Sequence, residues 1–151
     1  MYYVTKTYGH ELGLSACFRQ HRAESHCRFL HGYALSFAIA FHAQKLDKNG
    51  WVIDFGSLKP IKEHLVEMFD HKLLVAEDDP MLDTFRWLDE HNAADVIALP
   101  RVGCEAFAAY VFDFVHNWIK IKGDPDLWQR GVKVISVECR EHGANAATFM
   151  L

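Results

Sequence analysis

The sequence predicts an α+β fold in which an antiparallel sheet carries two helices on one face. Apolar residues alternate with a period of two near both ends of the chain, which is typical of half-buried strands. In the middle they recur at helical spacing, so the order becomes strand, strand, helix, helix, strand, strand. With 151 residues, half of them hydrophobic, the chain is expected to form a single domain spanning residues 1–151.

Extended structure is predicted for the first third of the chain. Tyr2 to Tyr8 is rich in Tyr, Val and Thr, and this strand can continue through Leu12 to Phe18. The clearest alternation follows a polar segment, Arg19 to Arg28. One face of this later strand carries His31, Tyr33, Leu35, Phe37, Ile39 and Phe41. The apolar members are expected in the core, with His31 and Tyr33 at its polar end.

Two amphipathic helices are predicted next. Ser57 can cap the first helix, whose apolar residues run at helical spacing from Leu58 to Phe69 and which ends near Asp70. The second is expected over Gly103 to Lys122, and the Gly-Asp-Pro-Asp sequence that starts at Gly123 breaks it.

The remaining segments complete the predicted order. Asp79 to Leu99 matches no regular pattern, apart from an extra helical turn or two over Met81 to Glu90. Strands are expected over Val132 to Arg140 and over Ala146 to Leu151.

Composition narrows the classes of function. The net charge is −4 and there is no run of Lys or Arg, which argues against binding to nucleic acid or to an anionic membrane. The N-terminus does not resemble a secretory signal, and the longest apolar stretch, from His31 to His42, is too short to span a bilayer. Four cysteines without a Cys-x-x-Cys pair indicate free thiols in a cytoplasmic enzyme.

Cys27 is the first candidate catalytic residue. It lies between His26 and Arg28, where a loop enters a strand at His31. A thiol beside cationic side chains is a potential base or nucleophile, and a histidine at a strand end is available as a metal ligand or proton carrier. A half-buried cysteine and a hydrogen-bonded histidine would give the same pattern.

Asp70 and His71 form a second candidate. A carboxylate can orient an imidazole and raise its basicity. Adjacent residues seldom hydrogen-bond to each other's side chains, however, so the two can instead serve different partners. A histidine after a helix can also simply complement the helix dipole.

Two acids complete the candidate residues. Glu138 is predicted to share a strand face with Val132 and Val134, where a carboxylate needs a donor. It suits an amide-plus-amine edge such as that of guanine or pterin. A solvated acid at a strand end is the alternative. Glu105, at the start of the second helix, is most simply a dipole-complementing acid.

The ten histidines raise the question of a metal. His21, His26 and His31 recur at five-residue intervals and share no helix or strand face, so only a folded loop can bring them together. Zinc needs three or four converging ligands, and counting histidines does not establish such a site.

Read in order, these segments resemble the 6-pyruvoyl-tetrahydropterin synthase and 6-carboxy-tetrahydropterin synthase family. The resemblance runs over nearly the whole chain. Its motifs are Cys27-x-x-Leu30-His31-Gly32, Gly50-Trp51-Val52-Ile53-Asp54-Phe55-x-x-Leu58-Lys59, Asp70-His71-Lys72-x-Leu74, Glu105-x-x-Ala108 and Val134-x-x-Val137-Glu138.

The resemblance implies the T-fold, with ββααββ order and a four-stranded antiparallel sheet, and assembly into trimers or hexamers with sites between subunits. It also implies a lyase acting on 7,8-dihydroneopterin triphosphate or a related pterin. Cys27 would then be the proton-abstracting thiol, Asp70 and His71 the relay pair, and Glu138 the acid that grips the pterin ring, with Glu105 in the same pocket. Arg19, Arg22 and Arg28 are candidates to neutralise triphosphate.

The zinc site departs from the family pattern. The family holds zinc with one histidine on the first strand and two in a His-Gly-His sequence, whereas this chain reads His31-Gly32-Tyr33. Counting back from Cys27 without a gap places Ala16 at the first-strand position. We therefore expect His31 as the surest ligand, with His21 or His26 as substitutes. The alternative hypotheses are a zinc-poor pterin- or purine-binding protein and a different, aldolase-like chemistry on the same fold.

Overall fold

The computed structural model describes residues 1–121 and 124–151, and these form a seven-stranded sheet flanked by helices. The strands are β1 (Tyr2–Tyr8), β2 (Leu14–Phe18), β3 (His31–Ala43), β4 (Lys72–Ala76), β5 (Val96–Leu99), β6 (Lys133–His142) and β7 (Asn145–Met150). The helices are α1 (Lys59–Phe69), α2 (Leu82–Glu90), α3 (Cys104–Ile121) and α4 (Pro125–Gln129). The strands are ordered β5-β4-β2-β3-β6-β7 in the sheet, and β1 also pairs with β3.

The long strand β3 organises the sheet. Its first half pairs with β2 and its second half with β1, both antiparallel, while β6 pairs along its other edge. The predicted alternation is confirmed, since Phe37, Ile39 and Phe41 are fully buried. The predicted continuation of the first strand is wrong, because a short 3-10 turn over His10–Leu12 separates β1 from β2.

The main core lies between the sheet and the helices α1 and α3. The buried residues of the two helices include Ile61, Leu65, Phe69, Phe107, Val111 and Val115. This confirms the two predicted helices on one sheet face. Ser57 does not cap α1: Asp54 instead accepts a hydrogen bond from the Gly56 N–H at the start of a preceding 3-10 turn. The predicted helix residue Lys122 and the predicted break at Gly123 lie outside the described residues.

The segment without a clear sequence pattern is regular in the structure. It forms α2 and β5, so β4 and β5 extend the sheet with parallel pairing. Leu74 and Ala76 of β4 belong to the main core, whereas Leu73 and Val75 pack with Phe85 of α2 in a second cluster. Because β4 is buried on both faces, its sequence shows no alternation. The predicted sheet of four antiparallel strands was therefore too small, since the sheet has seven strands and includes parallel pairs.

Candidate functional site

An aromatic cluster lies at the polar end of β3, on the face that carries the main core. Phe18 pairs directly with His31 across β2 and β3, and their ring centroids are 5.6 Å apart. The Tyr33 ring lies 6.1 Å from Phe18, 5.4 Å from His31 and 5.9 Å from His142. Phe18, His31, Tyr33 and His142 are hereafter the aromatic cluster. Phe18 is almost wholly buried, and it joins the cluster to the core through an edge-on contact with Phe107.

Hydrogen bonding determines which nitrogen of His31 is available. The Nδ1–H donates to the carbonyl oxygen of Phe29 at 2.7 Å. In the neutral ring, Nε2 is therefore unprotonated and can accept a proton or a hydrogen bond. The cluster thus contains one potential base on a ring that its own backbone holds in place.

The pKa of Tyr33 is raised. Burial is the main cause, and the charges of Glu141, Cys27 and Cys104 raise it further. The turn that carries Cys27 leads directly into β3 at His31, so Cys27 and His31 belong to the same end of the sheet.

The loop before β3 presents Cys27. Residues His26–Arg28 form a single 3-10 turn that starts at Ser25, whose hydroxyl accepts a hydrogen bond from the Cys27 N–H at 3.4 Å. The Cys27 carbonyl in turn accepts from the Gln20 N–H at 2.9 Å, which folds the loop back on itself. Cys27 is half-buried, while His26 is exposed.

The other thiols are less suited to chemistry. Cys104 and Cys139 are both buried, and a hydrogen bond to Cys104, together with burial, raises the pKa of Cys139. Burial likewise raises the pKa of Cys17. A thiol is nucleophilic only as the thiolate, so Cys27 is the better candidate.

The predicted orientation of Glu138 is wrong. Val134 pairs with Phe41 and Ser136 with Ala40, so Ile135 is an inserted residue that shifts the register of β6. Beyond this bulge Val137 and Cys139 face the core, whereas Glu138 pairs with Ala38 on the opposite face. There its carboxylate binds the guanidinium of Arg140, at 2.9 Å from Nη2 and 3.0 Å from Nε.

Glu141 is a carboxylate of β6 that the sequence reasoning missed. It lies at a second irregularity of this strand, where Arg140 pairs with Ala146 and His142 with Asn145 of β7. Its charge raises the pKa of both Tyr33 and Cys139. Glu105, in the first turn of α3, also raises the pKa of Cys139.

Asp70 and His71 form a direct hydrogen-bonded pair. The Nδ1–H of His71 donates to Asp70 Oδ1 at 2.8 Å, contrary to the expectation that neighbours seldom interact. The left-handed backbone of His71, with φ 57°, makes this contact possible. The backbone N–H of His71 donates to the Ser15 carbonyl at 2.7 Å. The ring nitrogen Nε2 remains available, since the His71 side chain is 85% exposed.

His71 lies on the opposite side of the sheet from the aromatic cluster. It lines a groove of about 440 Å³ together with Ser15, Cys17, Gly32 and Leu88. Ser15, Cys17 and Gly32 belong to the strand face that points away from Phe18 and His31. Within one chain, β2 and β3 therefore separate His71 from the aromatic cluster.

The three arginines expected near the triphosphate already have partners, which are acids for Arg19 and Arg22 and a backbone carbonyl for Arg28. Arg19 makes two hydrogen bonds to the buried Asp79, at 2.6 and 2.8 Å, and Arg22 contacts Asp78 at 2.5 Å. Arg28 donates to the Glu24 carbonyl at 2.7 Å.

A polar groove of about 450 Å³ lies where β2 leads into the Cys27 loop. It is lined by His21, Arg22, Asp78 and Arg101, among others. Gln20 also lines the groove, and its side chain donates to the Val102 carbonyl at 2.7 Å. His21 is thus in this groove, with Nε2 3.7 Å from Asp78 Oδ1, rather than beside His31.

These residues do not fit the three-histidine zinc site that the resemblance implied. Among residues 1–121 and 124–151, no group of three or more His, Cys, Asp or Glu side chains is arranged to hold a metal ion. Ala16, at the position counted back from Cys27, is buried in the core and has no donor atom. The β2 side chain that contacts both His31 and Tyr33 is instead the ring of Phe18. The predicted set His21, His26 and His31 is not brought together in this chain.

Comparison with known proteins defines the class. The family model of 6-pyruvoyl tetrahydropterin synthase matches residues 9–150. The chain therefore belongs to the 6-pyruvoyl tetrahydropterin synthase family, and the suspected resemblance is confirmed.

Two curated relatives are 6-carboxy-5,6,7,8-tetrahydropterin synthases. The protein of Rickettsia felis is 46% identical over 63 residues, which cover 39% of this chain and 46% of the relative. The protein of Aquifex aeolicus is 26% identical over 140 residues, covering 91% and 83%. The chain thus spans about half the length of the Rickettsia relatives that it matches.

Solved structures share the fold, which confirms the predicted T-fold. An uncharacterized protein from Wolinella succinogenes superposes with a TM-score of 0.79 at 20% identity, covering 99% of this chain and 97% of that chain. The 6-pyruvoyl tetrahydropterin synthase of Plasmodium vivax gives a TM-score of 0.65 at 16% identity, covering 99% and 98%. No helix in the described part of the chain has the length and apolar character to cross a membrane.

Proposed function

We propose that this protein is a tetrahydropterin synthase-like lyase acting on 7,8-dihydroneopterin triphosphate or a related pterin. The observation that carries the proposal is the aromatic cluster, in which His31 packs against Tyr33 with its Nε2 free, at the strand end where the Cys27 turn enters β3 and beside Glu141 of the neighbouring strand β6. A thiol and an imidazole can move protons, and a carboxylate can accept two parallel hydrogen bonds from a pterin edge. Family membership supports the same reaction class.

The chemistry assigned to Cys27 is removal of a carbon-bound proton. The thiolate takes a proton from a side-chain carbon of the substrate, and the C–H electron pair forms a new C=C bond. The adjacent C–O bond breaks, and inorganic triphosphate leaves with the electrons of that bond. His31, whose Nε2 is unprotonated in the neutral ring, can accept a hydrogen bond from a substrate hydroxyl.

Asp70 and His71 provide a second proton-transfer group in this proposal. Their hydrogen bond fixes Nε2 of His71 as the free nitrogen, as a base requires. Since β2 and β3 separate the pair from the aromatic cluster of the same chain, we assign the relay to a site shared with a neighbouring copy. That arrangement requires a homo-oligomer, and the family resemblance favours a trimer or a hexamer.

The polar groove beside the Cys27 loop is proposed to bind the triphosphate. Arg22 and Arg101 line it, and His21 adds a third group that is cationic when protonated. In this proposal the triphosphate replaces Asp78 as the partner of Arg22. Arginine binds phosphate oxygens well because its planar guanidinium offers several donors.

Turnover tests the proposal directly. Purified protein is incubated with 7,8-dihydroneopterin triphosphate, and released triphosphate and the pterin product are measured by chromatography. We expect turnover by the wild type and a loss of at least about a hundredfold in Cys27→Ser and in His71→Gln, as is typical when an acid–base group is removed. His116→Gln, at an exposed position of α3, is the matched control and should retain full activity. Absence of turnover by the wild type contradicts the proposal.

A second candidate function is pterin or purine binding without turnover. It is favoured by Tyr33, whose half-buried ring offers aromatic surface for stacking, and by the buried Phe18, which supplies no donor atom for catalysis. Isothermal titration with dihydroneopterin and its triphosphate separates the two functions, because binding without product formation supports this one.

A further inference from the structure

We infer that this chain has replaced the zinc centre of its site by a packed aromatic cluster, in which His31 acts as a hydrogen-bonding group without a metal. The inference concerns the same site as the proposed function. It is nevertheless independent of that function, since an aromatic cluster of this kind could serve either turnover or binding.

The ligand positions themselves are the first argument. Zinc in proteins takes at least three donors, mainly imidazole nitrogen, thiolate or carboxylate. Three rings meet here. His31 supplies an imidazole, Tyr33 supplies a phenol, and the phenyl ring of Phe18 has no donor atom. Phe18 is paired with His31 in the strand register and is 1% exposed, so its side chain is not free to be displaced by another ligand.

The nearby histidines do not compensate. His21 is held in the separate polar groove beside Asp78, and His26 is exposed on the 3-10 turn. His142 contacts Tyr33, but both of its ring nitrogens are engaged elsewhere: Nδ1 accepts a hydrogen bond from the Ala144 N–H at 3.2 Å, and Nε2 lies 3.3 Å from Asn145 Nδ2. Among the three rings that meet, His31 is therefore the one imidazole.

The packing gives the cluster its own stabilisation. The three mutual centroid separations of Phe18, His31 and Tyr33 fall between 5.4 and 6.1 Å, within the range of favourable aromatic pairs. The fourth contact, Phe18 against Phe107 at 5.1 Å, is T-shaped and ties the cluster to α3. The cluster is therefore a continuation of the hydrophobic core toward the site.

Metal content tests the inference without reference to activity. The full-length protein is purified without added metal or chelator, and zinc per chain is measured by mass spectrometry after competition with a zinc-binding dye. We expect the wild type to hold far less than one zinc per chain, and His31→Ala to leave that content unchanged. Stoichiometric zinc that survives competition and is lost in His31→Ala would overturn the inference.

A gain-of-function variant provides the complementary test. Phe18→His combined with Tyr33→His places three imidazoles around the centre and is expected to raise zinc content toward one per chain. The same double variant carrying His31→Ala is the matched control and should lose that zinc. Tyr33→His alone, at a half-buried position, covers the case in which the double variant does not fold, and it should stay below one zinc per chain. Failure of a folded double variant to bind zinc any better than the wild type would contradict the assignment of these three positions.

Discussion

At the scale of single residues, one inserted residue in β6 determines which face of the sheet carries Glu138. Without Ile135 in the bulge, Glu138 would share the face of Val134, and it would lie on the side of His31 and Tyr33. With it, Glu138 pairs with Ala38 on the other face and binds Arg140. The carboxylate of β6 whose charge raises the pKa of Tyr33 is instead Glu141.

We therefore expect Glu141→Gln to weaken pterin binding more than Glu138→Gln. A neutral amide loses the charge-assisted hydrogen bonds to an amide-plus-amine edge, each contributing about 1.5–3 kcal/mol, so the dissociation constant should rise roughly tenfold or more. Glu138→Gln is the matched control, because it makes the same change three residues away. Isothermal titration with dihydroneopterin provides the measurement. A larger effect in Glu138→Gln would assign the ring-binding role to that residue instead.

At the scale of elements, the β4–α2–β5 segment is an addition with a core of its own. Phe85 of α2 is buried against Leu73 and Val75, on the sheet face opposite to α1 and α3. Asp79 connects this addition to the segment Arg19–Arg28, which carries Cys27. Its carboxylate accepts hydrogen bonds from both the Arg19 side chain and the Met81 N–H. The addition thus supports the loop that presents Cys27.

Truncating Phe85 is expected to loosen this segment selectively. Phe85→Ala should lower the free energy of unfolding by about 3–5 kcal/mol, because it removes a buried ring and leaves a cavity. Trp87→Ala on the same helix is the control. Its side chain is 55% exposed, so we expect a change within about 0.5 kcal/mol. Hydrogen exchange should show faster exchange of the β5 amides in Phe85→Ala and unchanged β3 amides, whereas equal acceleration in both strands would argue against a separate small core.

At the scale of the whole molecule, stability should fall with acidification in two stages. Burial lowers the pKa of His64, which stacks on Phe114 and hydrogen-bonds to Tyr110, so the folded state favours the neutral ring. The resulting contribution to folding stability is fully present above the pKa of the unfolded histidine, about 6.5, and is lost as the pH falls below that value. The hydrogen bond from Arg19 lowers the pKa of Asp79, whose contribution is present above about 3.9 and is lost at lower pH.

Denaturant titrations between about pH 3 and pH 8 measure both stages. His64→Gln should flatten the profile near pH 6 and leave the fall below pH 4 in place, whereas Asp79→Asn should reduce the lower fall. His116→Gln, at an exposed histidine, should leave the profile unchanged. A profile near pH 6 that is the same in His64→Gln and wild type would contradict the assignment.

The sequence predicted well those features that depend on local pattern. The alternation over residues 31–41 and the helical spacing around Ile61 and Phe107 were sufficient for β3, α1 and α3. Local pattern did not predict features that depend on the register between strands or on a strand being buried on both of its faces. The bulge at Ile135 reverses Glu138, and β4 has no alternation because both its faces are covered. Phe18 was missed for a related reason: its place beside His31 follows from strand pairing rather than from counting back along the chain from Cys27.

The placement of His71 across the sheet from the aromatic cluster leads to a prediction about the assembly. If Cys27 acts at the cluster together with His71, the two residues must come from neighbouring copies, and a hybrid oligomer can then contain some intact sites. Cys27→Ser and His71→Gln, each inactive alone, should recover part of the wild-type turnover when they are co-expressed or refolded together. A mixture of Cys27→Ser with the double variant Cys27→Ser/His71→Gln is the control and should stay inactive, because none of its chains supplies Cys27. If native mass spectrometry shows hybrids and no activity returns, the shared site is contradicted, since a site within one chain would lack one of the two residues in every subunit.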